Sequence, residues 1–180
     1  MSSLEPTPEE IEERAQIDKS TRYPVLFFFT SAAAWLFVAT LLGFASSLKL
    51  RVPDLFEEIA MLGYGRLFPS HLLAFVYGWC IQAGIGVILW LMARLSRAEL
   101  RQGTTIIVIG HVWNAAVSFA LIAVLFGFGR GLPYLDFPQW IWPILALSYI
   151  LTVVWVQHRE SPPQQRDSPG HGCGDLCLVD

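Results

Sequence analysis

Four apolar stretches, each about as long as a bilayer is thick, limit what this chain can fold into. They cover residues 24–48, 68–93, 104–128 and 137–156. The first carries no charge, and its 25 residues span about 37 Å as a helix, enough to cross roughly 30 Å of hydrocarbon with some tilt. Only 15% of the chain is charged and 54% is hydrophobic, whereas a soluble domain has about a quarter of its residues charged. The expected fold is an all-α membrane bundle of four transmembrane helices, embedded in the lipid bilayer. The net charge of −3 leaves no basic face, which excludes nucleic acid as a partner. Three cysteines are too few for a disulfide framework.

The flanks and loops have their own patterns. Residues 1–22 form a polar, acidic tail unlike a signal peptide. Within it, Thr7-Pro8-Glu9-Glu10 reads as a capping box that starts a short helix to about Lys19. Between the first two spans, Asp54 and Glu57 suggest another cap, and Leu55, Ile59 and Leu62 fall on one face. The expectation is a short amphipathic helix on the membrane surface. In the fourth span Pro138 sits in the first turn, while Pro143 lies deeper and should kink or delay the regular helix. Trp140 and Trp142 resemble an interfacial aromatic belt. Gly84 and Gly86 offer a close helix approach on span two. Residues 23–158 make the membrane domain, and 159–180 are Pro-, Gly-, Asp- and Ser-rich, as in a disordered tail.

Lys and Arg set the expected orientation. The two tails and the loop between spans two and three carry eight of them, and the other two loops carry four. The positive-inside rule puts both termini in the cytoplasm, with His71 near the outer end of span two.

An ionisable residue within a span is a functional hypothesis by default. The plainer reading of His71, only one turn inside, is that it snorkels to the headgroups. Its setting is Gly65-Arg66-Leu67-Phe68-Pro69-Ser70-His71. That string resembles the second-span motif of subunit I of haem–copper oxidases, most closely the cbb-type (C-family) cytochrome c oxidases, where it is close to G-R-L-R-P-L-H. Trp35, Leu41-Leu42-Gly43, Leu48-Lys49-Leu50 and Pro53 resemble the family's first span and its exit. Pro133-Tyr134 and Trp142-Pro143 resemble its outer loop and fourth span. The likeness covers about residues 20–157.

The resemblance implies that the chain is the N-terminal part of a subunit I bundle in a bacterial inner or plasma membrane. It implies that His71 is an axial ligand of a low-spin haem b, with cytochrome c as electron donor, oxygen as acceptor and the remainder of an oxidase complex as partner. Neutral imidazole is a good iron ligand, and two such ligands suit iron to electron transfer. Arg66 would sit beside the haem, with a guanidinium suited to a propionate. Phe68 replaces the family's second arginine. Asp136 lies where the family has acidic residues near the propionates; on its own it reads as a solvated loop carboxylate or a helix cap.

The family's oxygen chemistry needs further histidines for copper and for a second haem. This chain has four in all, His71, His111, His158 and His171, and no copper-ligand set. His71 lies about 5 Å from the outer end of its span and His111 about 25 Å from the same side, so His111 is not its partner on one iron. The second ligand is expected outside this chain. His111 is expected instead to hydrogen-bond between helices, to Asn114 or Ser118. The tail's His171, Cys173 and Cys177 have neither a haem-attachment nor a usual zinc spacing. The polar run from 159 suggests a frame lost near Gln157–Arg159. The functional expectation is therefore part of a cytochrome c oxidase, inactive alone. The alternatives are a non-enzymatic membrane scaffold or a small haem b electron-transfer protein.

Overall fold

A computed structural model describes residues 7–97, 100, 103–132 and 134–157. The expectations for the tail beyond 157, including His158 and the His171–Cys177 pattern, lie outside these residues, as does Pro133. Every regular element among the described residues is helical. The order is α1 (Pro8–Arg51), a 3₁₀ turn (Ala60–Leu62), α2 (Tyr64–Leu73), a π-helical segment (Ala74–Cys80), α3 (Ile81–Ser96), α4 (Gly103–Leu125), a 3₁₀ turn (Gln139–Ile141) and α5 (Trp142–Gln157). The stretch Tyr64–Ser96 runs as one rod. Three helices, Pro8–Arg51, Tyr64–Ser96 and Gly103–Leu125, are long and apolar enough to cross a membrane; the helix Gln139–Trp155 is apolar but shorter.

The capping box forms. Thr7 Oγ1 accepts from the Glu10 amide, and the Glu10 carboxylate accepts from the Thr7 amide. The helix it starts does not stop at Lys19. It continues through Pro24 to Arg51 as 44 residues, about 66 Å of helix, so one end projects well past the hydrocarbon. Proline removes one backbone donor and crowds the preceding turn. Packing tolerates it here: Pro24 is fully buried, and Gly103, the first residue of α4, lies so close that a Cβ would stand 2.8 Å from the Pro24 ring. The Ser20 hydroxyl also accepts from the Leu100 amide at 3.0 Å. The proline thus marks where α4 docks, not where α1 ends.

The connection 52–63 corrects the amphipathic-helix expectation. It is a chain of tight turns, with amide-to-carbonyl bonds from Leu55 to Val52, Glu57 to Asp54 and Ile59 to Phe56. Phe56 adopts φ +59°, a left-handed conformation that an α-helix cannot propagate. In the fourth apolar stretch the regular helix begins only at Trp142, so Pro143 falls in the first turn, where its missing donor does no harm.

Two clusters hold the bundle. Leu73, Trp113, Val117, Val124, Phe137 and Ile141 knit α2, α4 and the entry to α5. Phe28, Ile85, Leu89 and Ile106 join α1, α3 and α4. Many contact positions are small: Ala32, Ala39, Ala74, Ala116 and Ala120 are all buried. In lipid there is no hydrophobic drive between helices, so association rests on close packing and interhelical hydrogen bonds. Gly86 packs against Phe28 and Phe29, whereas Gly84 faces open space, so only one of the two expected glycine contacts exists. Large apolar side chains such as Phe37, Phe44 and Phe119 face outward, as lipid requires.

Candidate functional site

His71 lies on α2 and turns toward the second half of α1. Its Nδ1 is 2.8 Å from the Ala39 carbonyl oxygen. A carbonyl only accepts, so Nδ1 carries the proton, and in the neutral ring the lone pair is on Nε2. Gly43, one turn along α1 from Ala39, makes this approach possible. A Cβ on Gly43 would stand 2.8 Å from Nδ1 and 2.9 Å from Cε1 of the ring. The imidazole therefore rests on bare backbone, held in one orientation. It lines a groove of about 380 Å³ whose walls include Thr40, Ser46, Tyr64, Phe68 and Phe75. The Tyr64 and Phe68 rings stack at 5.6 Å, and Phe75 lies 6.0 Å from the imidazole centroid.

This donor arrangement fits a metal-bound histidine. Such a residue commonly donates its other ring N–H to a backbone carbonyl, which fixes the tautomer and raises the basicity of the ligating nitrogen. The flanking aromatic walls suit a flat apolar group. No cluster of three or more His, Cys, Asp or Glu able to hold a bare metal ion occurs among the described residues.

Arg66 is placed elsewhere. Five residues from His71, it stands on a different side of α2. Its Nη1 donates to the Leu125 carbonyl at 3.2 Å, and the guanidinium lies against Gly127, which has φ +94°. It closes the C-terminal end of α4, where a cation is favoured by the helix dipole. The structure does not bring Arg66 and His71 to one face. Asp136 is neither solvated nor a helix cap. It is 7% exposed, and its Oδ1 accepts from the Gly131 amide at 2.5 Å. Gly129 packs against the same carboxylate, so Asp136 ties the loop between α4 and α5.

His111 does not bond to Asn114 or Ser118. Its Nδ1 reaches the Ile107 carbonyl of its own helix at 2.9 Å, and its ring stacks on Phe27 at 4.7 Å. Phe27 and Gly43 are 16 residues apart on α1, about 24 Å along the helix axis. The two histidines therefore sit at levels too far apart to hold one iron.

The interhelical polar contact expected of His111 is made by Asn114 instead. Its Oδ1 accepts from Ser31 Oγ at 2.9 Å, Trp35 Nε1 at 2.6 Å and Gln82 Nε2 at 3.0 Å. Its Nδ2 donates to the Gly110 carbonyl at 3.0 Å and to Gln82 Oε1 at 3.4 Å. One amide thus links α1, α3 and α4. Just before Gln82, the π-helical segment lets the Ile81 amide bond to Val76, five residues back. The Tyr77 carbonyl, released from that amide, accepts the Trp113 indole N–H at 3.0 Å. Gly78 lies beneath Trp35, where a Cβ would stand 2.6 Å from the indole. The sequence offered one signal for this node: Gln82 and Asn114 are uncharged polar residues deep within apolar spans.

An all-helical membrane bundle presenting one oriented imidazole on an aromatic groove defines the class. The chain belongs to the family described as cytochrome c and quinol oxidase polypeptide I, whose model matches residues 23–159. Membership, with the three apolar helices, makes it an integral membrane protein of an oxidase complex, in a family that normally binds haem. No curated protein and no solved structure matches the chain.

Proposed function

We propose that this chain supplies one axial ligand, His71 Nε2, to a low-spin haem b in a cbb-type cytochrome c oxidase, as the N-terminal part of its subunit I. The observation that supports this reading is the bond from His71 Nδ1 to the Ala39 carbonyl at 2.8 Å over the side-chain-free Gly43. That bond leaves Nε2 as the nitrogen available to iron. The bound group would supply one-electron transfer between cytochrome c and the oxygen-reducing centre. The chain's own residues orient the imidazole and line the groove beside it with the Tyr64, Phe68 and Phe75 rings. The second axial ligand comes from a helix outside these residues, because His111 stands at the wrong level. We further propose four spans, with Gln139–Trp155 as the fourth, and both termini in the cytoplasm of a bacterial cell.

A reduced-minus-oxidised spectrum of the chain, purified from membranes with its co-purifying partners, tests the assignment. A bis-histidine haem b band is expected in the parent and should be lost in His71→Ala. A band of undiminished intensity in His71→Ala would falsify the assignment. Absence of haem from the parent assembly would favour a scaffold role instead.

A further inference from the structure

The projecting end of α1 meets the end of α3 at a second, chemically distinct place. A cleft of about 200 Å³ lies there, lined by Arg14, Ile17 and Asp18 of α1, by Arg94 of α3 and by Arg97 just beyond it. Three guanidiniums share one carboxylate. Asp18 pairs with Arg94 at 3.0 Å, and among the described residues neither Arg14 nor Arg97 makes an ion pair. Ile17, 4% exposed, gives the cleft an apolar floor. Its volume is several times the share of one water, about 30 Å³, so it has room for a tetrahedral anion and its ester carbons.

Its level in the membrane is readable from its neighbours. Arg94 lies over the Trp90 ring, 5.5 Å from the centroid, and Trp90 is half-exposed on the last turns of α3. An indole, apolar over its ring and polar at its N–H edge, is enriched at the headgroup level. Asp18 and Arg14 precede Pro24, where the uncharged stretch of α1 begins, by six and ten residues, or about 9 and 15 Å. Arg97 ends α3 in a left-handed conformation, φ +49°, which suits glycine better than arginine.

We propose that this cleft binds the phosphate of an anionic membrane lipid. Guanidinium is the side chain best matched to phosphate, through paired N–H donors, and basic pockets between spans at the membrane surface hold acidic headgroups in this way. The headgroup would pair with Arg14 and Arg97 and fix the projecting part of α1 against α3. The site is independent of the His71 groove.

The test uses the full chain in detergent, with lipid binding read by native mass spectrometry. The probes are phosphatidylglycerol, phosphatidylcholine and, separately, inorganic phosphate. Phosphatidylglycerol is expected to bind in preference to phosphatidylcholine. Arg14→Gln with Arg97→Gln should weaken it roughly thirtyfold, while the two lysine replacements together should retain most of the affinity. Arg97→Gly removes a guanidinium while relieving the backbone, so it should fold at least as well as the parent and bind roughly fivefold more weakly. Arg130→Gln, on an exposed loop away from the cleft, should change nothing. Equal affinity for the two lipids, or unchanged phosphatidylglycerol binding in Arg97→Gly and the double glutamine variant, would overturn the proposal. Displacement of the lipid by millimolar inorganic phosphate would assign the cleft to a free anion and overturn it as a lipid site.

Discussion

Replacing Gly43 by alanine is the sharpest probe of how the fold holds His71. The added Cβ would stand 2.8 Å from Nδ1 and 2.9 Å from Cε1, whereas carbon contacts are comfortable at about 3.5–4.0 Å. The ring must retreat by roughly 0.7 Å or more. The same movement stretches the 2.8 Å bond to Ala39 to about 3.5 Å, where it is no longer a hydrogen bond. Overpacking costs about 1–3 kcal/mol and the lost bond about 0.5–1.5 kcal/mol, so the expected destabilisation is about 2–4 kcal/mol. The interaction should vanish with the ring. In a double-mutant cycle, Gly43→Ala is expected to cost little in a His71→Ala background, giving a coupling of at least about 1 kcal/mol. Unfolding in mixed micelles measures the energies, and the ¹⁵N shifts of His71 report whether Nδ1 keeps its proton. An equal cost in both backgrounds, with the Nδ1–H tautomer intact in Gly43→Ala, would refute the reasoning.

Two further predictions concern the polar core. Asn114→Leu removes the acceptor shared by Ser31, Trp35 and Gln82; at about 0.6 kcal/mol per interhelical bond in membranes, it should lower stability by about 2 kcal/mol in micelle unfolding, with a shift in Trp35 fluorescence. Trp113→Phe removes the indole N–H from the Tyr77 carbonyl and should cost about 1 kcal/mol or more beyond the lost ring area, with faster amide exchange in the π-helical segment as the local readout.

Much of the architecture was legible because lipid imposes one simple rule. A segment that crosses hydrocarbon must be apolar, long and helical, so an all-helical membrane bundle follows from composition along the chain. The capping box at Thr7 was legible for a similar reason: its two bonds join residues three apart. The helical connection at 55–62 failed because Phe56 takes a left-handed conformation that no local pattern announces. The break expected between Lys19 and Pro24 failed because a proline's cost depends on what covers it, and α4 covers Pro24 through Gly103.

The site divides in the same way. Sequence alone singled out His71, through its motif and its position within an apolar span, and excluded His111 as its partner through counts of residues along two helices. It could not show that Ala39 and Gly43 receive the imidazole, that Arg66 closes α4, or that Asn114 rather than His111 joins the helices. Those facts depend on which side chains meet across 28 to 83 residues of chain, and on the rotation of one helix against another. Hydrophobic length sets the depth of each helix; only packing sets its rotation, and rotation decides which nitrogen of His71 bonds to Ala39 and which is left free.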